Sequence, residues 1–145
     1  MRAGIEAQRH KAQSDKGAGT EAEGTKMKTF RDLIVWQKAM QLVTDTYQIT
    51  LNFPKEELYG LTSQIKRCSI SIPSNMAEGY GRNSTEDYLR FLKISRGSLY
   101  ELQTQIEIAF NLHYIKKDAF DRMNEAGREI ERMVSSLITK INQAK

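Results

Sequence analysis

The segment Ser69-Ile-Ser-Ile-Pro-Ser-Asn-Met-Ala-Glu-Gly-Tyr-Gly-Arg82 combines a helical pattern with residues that packing alone does not require. Pro73 lies inside the pattern, where it removes one backbone donor and predicts a kink in the helix. Asn75, Glu78 and Arg82 follow at near-helical spacing, and the two glycines between Glu78 and Arg82 predict the end of the helix. The segment therefore predicts a helix that carries either a buried polar network or a binding surface.

Helical periodicity extends from this segment in both directions. The 145-residue chain has only two prolines, and its apolar residues recur at steps of three and four, which predicts four amphipathic helices. Because the connections are short and the apolar spacing sums to seven, we expect antiparallel neighbours with shallow crossing angles. The predicted fold class is all-α, an antiparallel up-down four-helix bundle. The predicted buried stripes are Leu33, Trp36, Met40, Val43, Tyr47 and Leu51; Leu61, Ile65, Cys68, Ile72 and Met76; Tyr88, Leu92, Ser95, Leu99, Leu102, Ile106 and Ala109; and Phe120, Met123, Gly127, Ile130, Val134, Leu137 and Ile141.

Hydroxyl side chains mark three predicted helix starts. Thr29 with Asp32, and Ser84 with Asp87, have the spacing of a capping box, in which a hydroxyl and a carboxylate satisfy free backbone donors. Thr62 is predicted to cap the second helix.

The first 26 residues differ in composition from the rest of the chain. They contain one large aliphatic residue, Ile5, and no aromatic residue, so they bury too little apolar surface to offset the entropy of ordering. We predict a disordered tail over residues 1–26 and one bundle domain over residues 27–145. Since the tail lacks the apolar core of a secretory signal, we expect a cytoplasmic protein.

Positive charge is concentrated in the middle of the chain. The formal net charge is +4, and residues 60–100 hold six basic and three acidic residues, a local excess of +3. A concentrated positive field attracts polyanions, although a solvated basic face is the common alternative. The candidate nucleic-acid contacts are Lys66, Arg67, Arg82, Arg90, Lys93 and Arg96.

Apolar residues outside the four stripes predict a subunit interface. A lone bundle of this size does not need them, although scattered surface hydrophobes are the ordinary alternative. The candidate interface residues are Ile34, Val35, Phe91 and Ile94, and Leu42, Ile49, Ile108 and Phe110 also lie off the stripes.

Several motifs together resemble one known family. They are Phe30-Arg-Asp-Leu-Ile-Val-Trp-Gln-Lys-Ala39, Tyr59-Gly-Leu-Thr62, the segment from Ser69 to Gly79, and Arg96-Gly-Ser-Leu-Tyr-Glu-Leu-Gln-Thr-Gln105. Over about residues 28–140 the chain resembles the four-helix-bundle proteins encoded by intervening sequences of bacterial 23S rRNA genes. The resemblance implies a homo-oligomer, a pentameric ring of bundles. It also implies kinship with the accessory proteins of diversity-generating retroelements, which bind nucleic acid and a reverse transcriptase.

The polar residues of these motifs allow more than one interpretation. Asn75, Glu78, Ser98 and Glu101 are predicted to form an interhelical network, with Arg82 or Arg96 pairing a glutamate; a binding pocket is the alternative. Gly97 is predicted to let two helices approach. Cys68 is predicted to be an inert core residue, Trp36 a core residue, and Tyr80 a base-stacking candidate.

The marks of known helical-bundle enzymes are absent from the sequence. Neither His10 nor His113 follows a glutamate by three positions, as di-iron bundles require. No glycine-rich phosphate loop occurs, and we expect no catalytic residue, metal or cofactor.

Three functional hypotheses follow from these patterns. The first is a non-enzymatic ring that binds RNA or other nucleic acid through phosphate neutralisation. The second is a scaffold for a protein such as a reverse transcriptase, with no direct nucleic-acid role. The third is an enzyme that uses Glu78 or Glu101 in a pocket.

Overall fold

The computed structural model describes residues 27–144, and four long helices account for most of that range. They are α1 (Ile34–Thr50), α2 (Leu61–Tyr80), α3 (Thr85–Asn111) and α4 (Lys117–Gln143), with short 3-10 helices at Phe30–Asp32 and Lys55–Glu57. No strand occurs within the described residues, so the all-α prediction is confirmed there. The predicted tail lies outside this range. In the described part, none of the helices is long and apolar enough to span a membrane.

The predicted buried stripes of α3 and α4 form about half of the core. All seven predicted residues of the α3 stripe are buried, including Ser95, whose hydroxyl donates to the Ile72 carbonyl oxygen at 2.8 Å. In α4 only Phe120 of the seven remains partly exposed, and it stacks on Phe110. In α2, Leu61 alone is not fully buried. Each buried leucine or isoleucine contributes about 1.5–3 kcal/mol through removal of apolar surface from water.

The prediction of which α1 residues are buried is wrong over most of the helix. Met40 and Leu51, assigned to the core from their spacing, are 42% and 74% exposed. Val35 and Leu42, assigned to the surface, are each 2% exposed, so the predicted interface role of Val35 is wrong and it packs in the subunit core. Because α1 carries apolar residues on two faces, the spacing of apolar residues did not determine which face packs against the core. Thr46 sits on the buried face and satisfies its hydroxyl by donating to the Leu42 carbonyl oxygen at 2.7 Å.

The three predicted helix caps have different outcomes, and α1 itself begins after Leu33 with no side-chain cap. The Thr29–Asp32 capping box is present at the first 3-10 helix, and the Ser84 hydroxyl accepts from the Asp87 amide at the start of α3. Thr62 does not cap α2; it is a buried residue inside the helix.

The start of α2 is held by a carboxylate from the preceding 3-10 turn. Glu57 Oε1 accepts from the Leu61 amide at 3.3 Å, and Glu57 Oε2 accepts from the Tyr114 hydroxyl at 3.0 Å. The hydrogen bond to Glu57 raises the pKa of Tyr114, because the carboxylate stabilises the protonated phenol. Glu57 therefore links the start of α2 to the segment between α3 and α4.

We expect Glu57→Ala to lower the free energy of unfolding by about 1 kcal/mol, since it removes a helix-start acceptor and a partner of Tyr114. Chemical denaturation measures this change. The matched control is the exposed neighbour Glu56, whose replacement by alanine is expected to change stability by less than about 0.5 kcal/mol. Equal losses in the two variants would contradict the capping role of Glu57.

The close approach of α2 and α3 occurs at Gly79, and the prediction that Gly97 allows it is wrong. A Cβ added to Gly79 would lie 2.7 Å from the Phe91 Cβ and 3.2 Å from a Tyr88 ring carbon. A Cβ added to Gly97 would meet nothing within 4 Å, and Gly97 is exposed on α3. The sequence could not separate these two glycines, because each interrupts an otherwise regular helical pattern.

Candidate nucleic-acid interface and interhelical groove

A chain of small polar side chains links α2 to α3. Asn75 Nδ2 donates to the Ser71 carbonyl oxygen at 2.8 Å and to Ser71 Oγ at 3.0 Å. Ser71 Oγ and Ser98 Oγ are 2.8 Å apart and share a hydrogen bond. Two of the four predicted network residues, Asn75 and Ser98, are therefore connected through Ser71. Sequence reasoning missed Ser71, although its position four residues before Asn75 on the same helix face was a usable signal.

Cys68 connects Ser98 to a third predicted network residue, Glu101. The Cys68 thiol lies 3.0 Å from the Ser98 carbonyl oxygen and 3.6 Å from Glu101 Oε2, and it can donate to either. Burial, together with the neighbouring Glu101 carboxylate, raises the pKa of Cys68 from 9.0 to about 12. The thiol therefore stays protonated at neutral pH and acts as a hydrogen-bond donor. The fourth predicted residue, Glu78, is not connected to this chain of hydrogen bonds. It pairs on the surface with Arg82 at 2.6 Å, which is the pairing predicted for that arginine.

The raised pKa predicts a slow reaction of native Cys68 with alkylating reagents. A rise from 9.0 to about 12 reduces the thiolate fraction at neutral pH by about a thousandfold. We expect iodoacetamide to modify the native protein at least about a hundredfold more slowly than the urea-unfolded protein, as measured by mass spectrometry. Similar rates in the two states would show that the thiol is ionised or reached easily in the native fold.

Three of the six predicted nucleic-acid contacts lie along the loop between α2 and α3 and the first three turns of α3, and Arg90 connects the other two. The guanidinium carbons of Arg82 and Arg90 lie 4.9 and 4.5 Å from the centre of the Phe91 ring. Lys93 lines the same surface depression as Arg90, together with Ile94. We call Arg82, Arg90 and Lys93 the turn cluster. Glu78 and Asp87 form exposed ion pairs with its two arginines and offset part of their charge. Glu86 lines the same depression as Arg90 and Lys93.

The other three predicted contacts lie in different surroundings, so the six do not form one continuous surface. Lys66 Nζ lies over the Tyr47 ring of α1 at 4.9 Å. Arg96 Nη1 donates to Ser135 Oγ of α4 at 3.1 Å. Arg67 lines a groove between α2 and α3.

This groove has a volume of about 500 Å³ and is lined by polar side chains from both helices. Tyr59 lies at its edge and is 94% exposed. Gln105 also lines it, and its Oε1 is buried without a hydrogen-bond partner among the described residues. We call this opening the α2–α3 groove. Within residues 27–144, no cluster of three or more His, Cys, Asp or Glu side chains is placed to hold a metal ion.

The predicted interface residues differ in exposure. Ile34 and Ile94 are 48% and 41% exposed, whereas Phe91 is partly covered by the two arginines of the turn cluster. Further exposed apolar residues are Met40 and Tyr47 on α1, Leu51 just after α1, and Ile70 on α2.

Two predicted aromatic roles can be compared with the structure. Tyr80, the base-stacking candidate, is partly buried and packs edge-on against Tyr88. Trp36 is partly buried and packs edge-on against Phe30, so the core prediction holds only in part.

Comparison with known protein families identifies the family of this chain. A family model described as 23S rRNA-intervening sequence protein matches residues 31–136, which is more than half of the chain. The chain belongs to this family. The predicted resemblance is thereby confirmed, and it covers α1, α2, α3 and most of α4, including the turn cluster and the α2–α3 groove.

A solved structure has the same fold as this chain. It is a crystal structure of a protein of unknown function from the S23 ribosomal protein family of Bacteroides thetaiotaomicron VPI-5482. The alignment has a TM-score of 0.66 and 22% identity, and covers 72% of this chain and 98% of that chain. At this identity the likeness concerns the fold alone. No match was found among curated proteins.

Proposed function

We propose that this protein is a non-enzymatic antiparallel four-helix bundle that assembles into a homo-oligomeric, pentameric ring and binds RNA or other nucleic acid. The turn cluster carries the proposal, because Arg82 and Arg90 both lie over the Phe91 ring and Arg90 and Lys93 line one surface depression. Phosphate neutralisation by such side chains gives affinity without base readout.

The reversed order of contacts supports the antiparallel arrangement. Along α2, Cys68, Ile72 and Gly79 contact α3 at Ser98, Ser95 and Phe91, respectively. Between α3 and α4, Arg96 contacts Ser135 and Tyr100 contacts Glu131, again in reverse order.

Exposed apolar residues support assembly into an oligomer. Ile34, Ile94 and Ile108 are 48%, 41% and 44% exposed, and burying such side chains between copies removes apolar surface from water. A ring repeats each turn cluster once per subunit. Its field on a polyanion is then several times that of a single subunit.

Copurification tests this proposal directly. The protein, purified at low salt without nuclease, is expected to show the native mass of an oligomer by light scattering and an elevated 260/280 nm absorbance ratio. RNase or DNase treatment should lower that ratio without changing the protein mass. A monomer free of nucleic acid would contradict both the ring and its binding role.

A protein-interaction scaffold is the second candidate function, favoured by the apolar surface of α1 and α2. Met40, Tyr47, Leu51 and Ile70 are between 38% and 74% exposed, and they do not belong to the predicted interface. A protein partner such as a reverse transcriptase could cover them. Recovery of a stoichiometric protein partner, with no nucleic acid and no effect of the turn cluster, would favour this candidate.

A further inference from the structure

The α2–α3 groove contains hydrogen-bonding groups that the subunit leaves unused. Arg67 lines the groove, and no carboxylate lies within 4.0 Å of its guanidinium among the described residues. Gln105 Oε1 is buried and lacks a donor in the described part of the chain. Leaving a buried acceptor unsatisfied destabilises the fold, and a ligand or water donor would offset that cost.

Glu101 is held in the groove by one oxygen only. Its Oε2 lies 3.6 Å from the Cys68 thiol, which remains protonated and can donate. Its Oε1 accepts no hydrogen bond from residues 27–144. The carboxylate is thus oriented from inside the bundle and keeps acceptor capacity toward the groove.

A carboxylate and a guanidinium in one groove complement a guanine base. Guanine presents N1–H and N2–H donors on its Watson–Crick edge, which two carboxylate oxygens can accept side by side. Its O6 and N7 atoms are acceptors, and arginine is their usual bidentate partner. Adenine, cytosine and uracil lack an edge with two adjacent donors. They therefore complement Glu101 less well.

The remaining lining suits a planar ligand. Tyr59 is 94% exposed at the edge of the groove, and a tyrosine ring in such a position can stack on a base. A volume of about 500 Å³ accommodates one nucleotide and is too small for a duplex segment.

We propose that the α2–α3 groove binds one unpaired guanine base, with Glu101 accepting from its Watson–Crick edge, Arg67 donating to its acceptor atoms or phosphate, and Tyr59 stacking on its ring. This inference rests on the proposed nucleic-acid role, to which it adds a base preference. Since the Watson–Crick edge must be free, the ligand is a guanine in a single strand or a loop, or a free guanine nucleotide.

Calorimetric titration of the full chain with GMP, AMP and UMP tests the groove alone. We expect GMP to bind at least about tenfold more tightly than AMP or UMP. Glu101→Gln should abolish this preference, because the amide replaces one acceptor with a donor, whereas Glu107→Gln, at an exposed carboxylate of α3 outside the groove, should keep it. Tyr59→Ala should weaken GMP binding, and since Tyr59 is 94% exposed its loss leaves the core intact. No GMP preference in the wild-type protein overturns the inference.

A second arm separates free nucleotide from nucleic acid. Fluorescence anisotropy compares labelled decauridylate with the same strand carrying one central guanosine. Tighter binding of the guanosine strand, lost in Glu101→Gln and kept in Glu107→Gln, supports recognition within a strand. Equal, salt-dependent binding of both strands, with no GMP preference, overturns the inference and leaves the proposed function standing. The same equal binding with a GMP preference assigns the groove to the free nucleotide. GMP binding with no binding of either strand supports guanine recognition by the groove and contradicts the proposed function.

Discussion

Gly79→Ala is expected to lower the free energy of unfolding by about 1–3 kcal/mol, although alanine is the better helix former. The added Cβ would lie 2.7 Å from the Phe91 Cβ, an atom fixed to the α3 backbone. The clash can be relieved only if α2 and α3 move apart. That movement would also disturb the contact of Ser95 with Ile72. Urea denaturation followed by circular dichroism measures the loss.

Gly97→Ala is the matched control and should have the opposite effect. Its Cβ would meet nothing within 4 Å, and Gly97 lies exposed inside the 27-residue helix α3. Replacement of an exposed helical glycine by alanine stabilises by up to about 1 kcal/mol. Native mass measured in parallel shows whether the oligomer is affected. A loss of stability at Gly97 as large as that at Gly79 would contradict the packing described for α2 and α3.

Replacing two of the three basic side chains of the turn cluster is expected to weaken RNA binding at least about tenfold near physiological salt. Arg90→Gln with Lys93→Gln removes two charges per subunit and up to two phosphate contacts, each of which contributes a salt-dependent term to affinity. Arg96 is retained in this variant because its guanidinium donates to Ser135 and contributes to the α3–α4 contact. Anisotropy of a labelled RNA hairpin measures the change.

The control variant removes the same net charge from another surface. Lys117→Gln with Arg122→Gln lies on α4, where each side chain pairs with an aspartate, at 3.1 Å to Asp121 and 3.7 Å to Asp118. We expect its affinity to fall less than about threefold, because only the long-range field changes. Equal losses in the two double variants would indicate that net charge, and not the turn cluster, determines binding.

The sequence predicted the buried faces of α3 and α4 well because each has one stripe that keeps a regular three-and-four repeat over seven positions, although α3 also carries apolar residues such as Ile94 and Ile108 outside its stripe. Their buried residues, such as Leu92 and Val134, follow directly from the period. It predicted α1 poorly because apolar residues line two of its faces. Which face is buried depends on the packing of α2 and α4 against it, which no local pattern contains.

The sequence predicted which residue types form the candidate site but not how their side chains are arranged in space. The six basic residues were identified from local charge, yet Lys66, Arg67 and Arg96 lie against three different neighbours because helix rotation separates them. The α2–α3 groove depends on contacts between residues 30 and 33 positions apart, such as those of Cys68 with Ser98 and Glu101. Sequence spacing on a single helix does not show such pairs.

The salt dependence of RNA affinity tests the central claim most directly. For the wild-type oligomer we expect the logarithm of the association constant to fall linearly with the logarithm of salt concentration, with a slope of about −0.7 to −0.9 for each phosphate neutralised. A slope corresponding to at least about three contacts, reduced in the Arg90 and Lys93 double variant, is the predicted result. RNA affinity that is absent at low salt, or that does not change with salt, would contradict a nucleic-acid-binding role for the turn cluster.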